Sequence, residues 1–240
     1  MVDYAAALKC AHLCQEIYRD FSGLRFSDYP DVEPVFAESQ DNGFTDTQVA
    51  ILNQLNSDRL YIVFRGSDKS VDWINNFEFR QQIYPYGDGN TDVQFHRGFM
   101  MAYFAVRKQL LEAMDKFVGQ HVVVTGHSLG GALATIAALD IQYNLGQKRD
   151  LSFEVYTFGS PRVGNSAMVK SYNGRIPNSY RFIHGWDIVT RVPRTWQGFD
   201  HVDKAIQIGS RWTWEVLSRR FKDHAIEGYS AALKAEIGAS

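Results

Sequence analysis

Three side chains in this sequence could cooperate in nucleophilic acyl chemistry. They are Ser128 in Thr125-Gly126-His127-Ser128-Leu129-Gly130-Gly131, Asp187 in Gly185-Trp186-Asp187, and His224 in Lys222-Asp223-His224. A serine hydroxyl is a weak nucleophile; it needs an imidazole to take its proton and a carboxylate to hold that imidazole. The serine is the most strongly marked of the three. It follows Val122-Val123-Val124-Thr125, a β-branched run that favours a short buried strand. It precedes an Ala/Leu-rich stretch in which Leu129, Leu133, Ile136 and Asp140 fall at helical spacing. A serine pinched between strand and helix by flanking glycines is a nucleophile elbow. Gly126 and Gly130 have to lack side chains there for strand and helix to approach. The N–H of Leu129 then stands at a helix N-terminus, where unpaired donors and the helix dipole favour an anion.

The partners of an elbow serine follow it in the chain, acid before histidine. His184, His201 and His224 come after Ser128, and Asp187, Asp200 and Asp203 are the acids on strand-end loops. Asp187 lies just past the apolar run ending at Ile183-His184, at the sheet edge where the elbow serine stands and where open α/β sheets place their sites. His184 falls inside that strand and is expected to pack. His201 precedes the last strand, on a connecting loop or at the opposite edge. His224 opens the C-terminal helix behind Asp223, a candidate N-cap, on a loop free to reach the serine. Ser128, Asp187 and His224 are therefore the expected catalytic set. A second oxyanion donor has to come from the exit of an early strand. Leu60-Tyr61-Ile62-Val63-Phe64 followed by Arg65-Gly66-Ser67 supplies one: Gly66 permits close approach, and Ser67 offers an N–H and a hydroxyl.

The elements that must position these residues alternate between strand and helix. An amphipathic helix is expected over residues 3–20, then loop through Pro30 and Pro34. Residues 48–55 and 59–64 read as a strand pair turning at Asn56-Ser57-Asp58. Residues 84–97 form a turn-rich loop, and Gly98 to about Val118 is helical. After the elbow come strands at 153–158, 180–184 and 205–208, a short helix near 165–173 and a C-terminal helix from Asp223. Such alternation with crossover connections implies an α/β fold around a mostly parallel sheet.

Composition narrows the field. A net charge of −2 gives no electrostatic footprint for nucleic acid, and no stretch reaches the roughly 18 apolar residues of a transmembrane span. Cys10 and Cys14 lie four apart on one expected helix, poorly oriented for a bridge, and read as small core hydrophobes; His12, on another face, does not complete a metal site. No metal is expected. Met1-Val2-Asp3-Tyr4 lacks a basic and apolar leader. A soluble protein is expected, cytoplasmic or secreted with its leader removed.

Taken in order, these stretches resemble the class 3 lipases, the filamentous fungal triacylglycerol lipases and their bacterial and plant relatives. The resemblance is carried by Phe64-Arg65-Gly66-Ser67, Asp72-Trp73-Ile74-Asn75-Asn76, His96-Arg97-Gly98-Phe99 and Thr125 to Ala134. It continues through Tyr156 to Asn165, Asp187-Ile188-Val189-Thr190-Arg191-Val192-Pro193 and Asp223-His224. It implies a single α/β-hydrolase domain over residues 1–240, with a mostly parallel central sheet flanked by helices. Ser128, Asp187 and His224 would be nucleophile, acid and base, with Ser67 and Leu129 as oxyanion donors. The resemblance also implies a lid at Ser70, Val71, Asp72, Trp73, Ile74, Asn75, Asn76 and Phe77; Trp73, Ile74 and Phe77 would share one face of a short helix. The implied activity is carboxylic-ester hydrolysis on acylglycerols, without a cofactor, at a lipid–water interface. Esterase, phospholipase A1 and feruloyl esterase chemistry are alternatives on the same fold. A catalytically silent lipid-binding protein is a distant one, because it has no physical need for all three residues. The chain departs from the family in lacking disulfides and in placing Asp203 where a glycine two residues after the histidine is usual.

Overall fold

A computed structural model of the chain describes residues 2–39, 47–53, 57–67, 80–83, 92–202, 204–210 and 222–239. Among these, a seven-stranded sheet runs in the order β1 (Val35–Glu38), β2 (Gln48–Asn53), β3 (Arg59–Phe64), β6 (His121–His127), β7 (Ser152–Phe158), β8 (Ser179–His184) and β9 (Ala205–Ile208). The first three strands pair antiparallel, and every pairing from β3 to β9 is parallel. A small separate sheet pairs β4 (Gln81–Ile83) with β5 (Gln94–His96).

Strand alternation divides the core into two layers. Val49 and Ile51 of β2, Ile62 and Phe64 of β3, and Val122 and Val124 of β6 pack with helices α2 (Arg97–Lys116) and α3 (Leu129–Ile141). The intervening residues Ala50, Leu52, Val63 and Val123 pack on the other face with α1 (Tyr4–Glu16) and the C-terminal helix. A period of two on each strand with apolar residues in both phases is what a sheet buried on both faces requires. Helix α3 is apolar nearly all round because it lies at the centre of the molecule, and Gly130 to Ile141 are all buried. Its one buried carboxylate, Asp140, accepts from the Tyr103 hydroxyl at 2.5 Å, Arg107 Nε at 2.8 Å and Asn144 Nδ2 at 2.9 Å. Helices α4 (Ser166–Arg175) and α5 (Ile226–Ala239) follow β7 and precede the C-terminus.

The mostly parallel, helix-flanked architecture matches the expectation, with three local differences. Helix α1 stops at Glu16 rather than continuing to residue 20, so Tyr18 lies in the turn beyond it. Strand β1 occupies sequence after Pro34 where no strand was expected; it is a four-residue edge strand, formed by pairing with β2 rather than by its own periodicity. Strand β5 lies inside the expected 84–97 loop and likewise owes its form to a partner, β4. Cys10 and Cys14 are free and buried, as expected of core residues, with Cys14 Sγ 3.3 Å from Thr125 Oγ1. Burial pushes the Cys14 thiol up to about 12 and raises Cys10 as well.

Candidate active site

The site is built on the exits of β3, β6, β7 and β8. Strand β6 runs through Gly126 and His127, two residues beyond the expected β-branched run, and α3 begins at Leu129, leaving a single residue for the turn. That residue, Ser128, sits at φ 58° and ψ −126°. Such a backbone costs a non-glycine residue about 1–3 kcal/mol and persists where the surroundings over-determine it. The surroundings here are tight. A Cβ on Gly126 would lie 2.1 Å from the Gly130 carbonyl oxygen, and one on Gly130 would lie 2.3 Å from that of Phe64. The two glycines thus let α3 press onto both β6 and the end of β3. Ser128 N–H donates to the Phe158 carbonyl at 2.9 Å, tying the turn to β7. The Ser128 side chain makes no cap bond to α3, so it does not occupy the helix's first-turn amides, Leu129 among them.

His224 lies in the turn before α5 and brings its ring between the other two residues. His224 Nε2 is 2.8 Å from Ser128 Oγ, and His224 Nδ1 is 2.8 Å from Asp187 Oδ2. A carboxylate only accepts, so Nδ1 carries the proton and Nε2 turns its lone pair toward the serine hydroxyl. All three side chains are buried. Asp187 is the most heavily bonded. Its Oδ1 accepts from Val189 N–H at 2.8 Å, its Oδ2 from the Tyr229 hydroxyl at 2.6 Å, and its carbonyl from Thr190 Oγ1 at 2.8 Å. Gly159, at φ 61°, leaves the room this requires; a Cβ there would be 2.6 Å from Asp187 Oδ2 and 3.0 Å from the His224 ring.

The remaining candidates fall elsewhere. His184, the last residue of β8, packs between Gly209 and Gly228 and donates Nδ1–H to the Asp223 carbonyl at 3.0 Å. The Asp223 carboxylate accepts from Trp186 N–H at 2.8 Å, which fixes the turn carrying His224 to the exit of β8. His201 sits on the loop before β9 and donates Nε2–H to the Thr190 carbonyl at 2.5 Å. Burial lowers the His201 imidazole to about 3, with Arg181 and Arg162 adding to the effect. Asp200 is exposed on the same loop. Phe64, at the end of β3, is in parallel register with Gly126, so Arg65, Gly66 and Ser67 leave the sheet beside the elbow. A Cβ on Gly66 would lie 2.6 Å from the His127 carbonyl oxygen. The lid segment Ser70–Phe77 and Asp203 lie outside the described residues. Among the described residues, no group of His, Cys, Asp and Glu could hold a metal ion, and no helix is long and apolar enough to cross a membrane.

Sequence reasoning missed Tyr229, Gly159 and Thr190, which hold the acid, and Tyr18 and His127, which bond next to the histidine. His127 lay inside the motif already in view. Gly159 and Thr190 also lay inside stretches already in view, Thr190 three positions from the Asp187 carbonyl it bonds. Tyr18 and Tyr229 carry no local signal, since each acts through a partner that only the folded sheet brings near.

Comparison with known proteins agrees with this geometry. The family model described as Lipase (class 3) matches residues 61–196, which include Ser67, Ser128 and Asp187; His224 lies beyond the match. The secreted mono- and diacylglycerol lipase 1 of Fusarium solani is 35% identical over 59% of this chain and 41% of its own length. The secreted mono- and diacylglycerol lipase A of Penicillium cyclopium is 31% identical over 75% of this chain and 59% of its own. The chain thus spans about half the length of the curated relatives it matches. Among solved structures, the triacylglyceride lipase of Rhizomucor miehei superposes with a TM-score of 0.69 at 28% identity, over 85% of this chain and 78% of that one. With the elbow, the parallel sheet and the matched family segment in agreement, the chain belongs to the class 3 lipase family, on an α/β-hydrolase fold.

Proposed function

We propose that residues 1–240 form one α/β-hydrolase domain that hydrolyses carboxylic esters of lipids, acylglycerols foremost, through Ser128, His224 and Asp187. The observation that carries this reading is the continuous chain of 2.8 Å contacts from Ser128 Oγ through the His224 ring to Asp187, ending on a serine held at positive φ. His224 Nε2 takes the Ser128 proton as Oγ attacks the ester carbonyl. The tetrahedral oxyanion forms against the amides of Leu129 and Ser67, donors in place before charge develops. His224 then gives its proton to the leaving alcohol, and water repeats the cycle on the acyl-enzyme. Asp187 keeps His224 in the Nδ1–H tautomer and stabilises its cation.

The preference for lipid esters rests on the relatives and on exposed apolar side chains of the loop after Asp187 and of the strand bonded to it. Trp196, 76% exposed, stands on the loop after the acid, and Ile83, 45% exposed, on β4, whose Gln81 side chain bonds the Gly198 carbonyl at 2.9 Å. Both suit contact with a lipid–water interface. Residues 70–77 are proposed as the lid on the strength of the resemblance.

The test is hydrolysis by the parent and by Ser128→Ala of p-nitrophenyl esters of increasing chain length, an emulsified triacylglycerol and diacylglycerol, a phospholipid and a feruloyl ester. Acylglycerol hydrolysis abolished by Ser128→Ala is expected. Turnover confined to short soluble esters, to the phospholipid or to the feruloyl ester would replace the substrate class. No turnover of any would overturn the enzyme reading.

A further inference from the structure

We propose that His127 is a positioning residue for the general base: its Nε2–H holds the backbone carbonyl of His224, and the Tyr18 hydroxyl locks the ring in the tautomer that can do so. This rests on His224 acting as the base, and names what keeps it in place.

His127 Nε2 lies 2.6 Å from the His224 carbonyl oxygen. A carbonyl only accepts, so Nε2 carries the proton. In the neutral ring Nδ1 is then an acceptor, and the Tyr18 hydroxyl, 2.8 Å away, donates to it. The two bonds specify one tautomer from opposite sides. The ring also lies tilted against the His224 ring, with centroids 4.6 Å apart and planes at 32°. His127 is 6% exposed, and burial, with His224 beside it, holds its pKa well below the usual value. Neutrality matters, because His224 must become a cation during turnover and a charged ring lying against it would oppose that. The groups facing this ring are Tyr18 from the turn after α1, with Arg65 over the Tyr18 ring, His224, and Tyr229 of α5 at 6.1 Å; Asp187 lies beyond His224.

The contact is to main chain, so it fixes where the base stands without touching substrate. The turn carrying His224 is pinned on one side by β8, where His184 and Trp186 both bond Asp223. Those bonds stop at residue 223. His127 holds the next carbonyl and does so from the elbow itself, so the base is referenced to the last residue of β6, directly before the nucleophile. Tyr18 extends the device to the β3 exit: a Cβ on Gly66 would lie 2.1 Å from its hydroxyl oxygen. The nucleophile turn, the base turn and the proposed oxyanion loop therefore meet at one tyrosine–histidine pair, its histidine buried and its tyrosine half-buried.

The experiment compares the parent with His127→Leu, which removes the donor, and His127→Gln, whose terminal amide can donate to the same carbonyl. Readouts are kcat and KM on a soluble short-chain p-nitrophenyl ester, and the far-downfield proton resonance of the His224–Asp187 bond. His127→Leu is expected to lower kcat about 100-fold, the scale of a misplacement near 1 Å. KM should stay within about threefold, because a positioning loss acts on the chemical step. The downfield resonance should shift or broaden, and His127→Gln should recover at least about tenfold of the lost rate. A folded His127→Leu variant within about threefold of the parent kcat would overturn the proposal, as would a Gln variant no better than Leu with an unmoved resonance. Should His127→Leu fail to fold, ¹⁵N spectra of the parent's histidines decide. A neutral Nε2–H ring at position 127, unchanged from about pH 5 to 9, supports the proposal; an Nδ1–H tautomer or a titration in that range overturns it. Activity that survives His224→Ala would sink the underlying reading instead, whereas activity dependent on His224 and indifferent to His127 would sink this inference alone.

Discussion

Tyr229 donates its hydroxyl to Asp187 Oδ2 at 2.6 Å, the same oxygen that faces His224 Nδ1 at 2.8 Å. Burial, reinforced by the Asp187 charge, holds the phenol well above its usual pKa, so it stays a donor at every pH of interest. Removing a hydrogen bond to a charged acceptor costs about 1.5–3 kcal/mol. Tyr229→Phe should therefore lower kcat by about 10- to 150-fold with KM little changed, because the carboxylate loses one of the bonds that aim it. Steady-state kinetics on a soluble ester check this; an unchanged kcat would mean Val189 N–H alone holds the carboxylate.

Gly159 is the second constraint on the acid. At φ 61°, with the would-be Cβ 2.6 Å from Asp187 Oδ2, alanine is strained by its backbone and pushes on the triad together. Gly159→Ala should lose about 1–3 kcal/mol of stability. It should also lose at least about 100-fold in kcat by displacing the acid or base. Urea denaturation and kinetics on the same preparation separate the two effects. Full activity in the variant would show that the sheet edge can yield without disturbing Asp187.

His224 and His201 should respond differently to removal. His224→Ala takes away the base of a unit that acts together, and a loss on the order of 10⁴ or more in kcat is expected. His201 bonds the acid loop at the Thr190 carbonyl, and Thr190 in turn bonds the Asp187 carbonyl. His201→Ala should reduce kcat by less than about tenfold and show mainly as lost stability. A severe kinetic loss at His201 with a healthy His224→Ala variant would reverse the assignment.

Stability should fall on the acid side. His96 is fully buried and its imidazole is lowered to about 3 by burial; His127 is lowered in the same direction. The unfolded chain binds these protons near the ordinary histidine pKa, about 6.5, and the folded chain does not. Between about pH 6.5 and 3 the unfolded state thus holds the proton that folded His96 does not, and stability rises with pH by on the order of 1 kcal/mol per pH unit, with His127 adding in the same direction. Above about pH 6.5 this contribution is constant. Urea midpoints at a series of pH values test it; a midpoint that does not move below neutrality would mean that these rings take up protons without unfolding.

The elbow turn and the meeting of Ser128, Asp187 and His224 were legible in the sequence because each of the three sits where an element ends. A β-branched run stops at Thr125 before the Gly126-Ser128-Gly130 turn, a strand stops just before Asp187, and the last helix starts just after His224. Sequence reveals such boundaries through changes of periodicity and turn residues. What it hid was whatever depends on a partner far along the chain. Strands β1 and β5 are short and take their form from β2 and β4. Tyr18 reaches a histidine 109 positions away, and Tyr229 reaches an acid 42 positions away. The expectation that α1 continues to residue 20 failed at the same kind of place: α1 ends at Glu16, and Tyr18, in the turn beyond it, bonds His127.

The central claim is that Ser128 is the nucleophile that His224 activates. The most direct measurement is to treat the protein with an alkyl fluorophosphonate, follow loss of ester hydrolysis, and map the adduct by peptide mass spectrometry. One equivalent bonded to Ser128, with labelling and inactivation advancing together and both slowed by orders of magnitude in His224→Ala, is the predicted result. Complete inactivation with Ser128 unmodified, or labelling of Ser128 as fast without His224 as with it, would contradict the account.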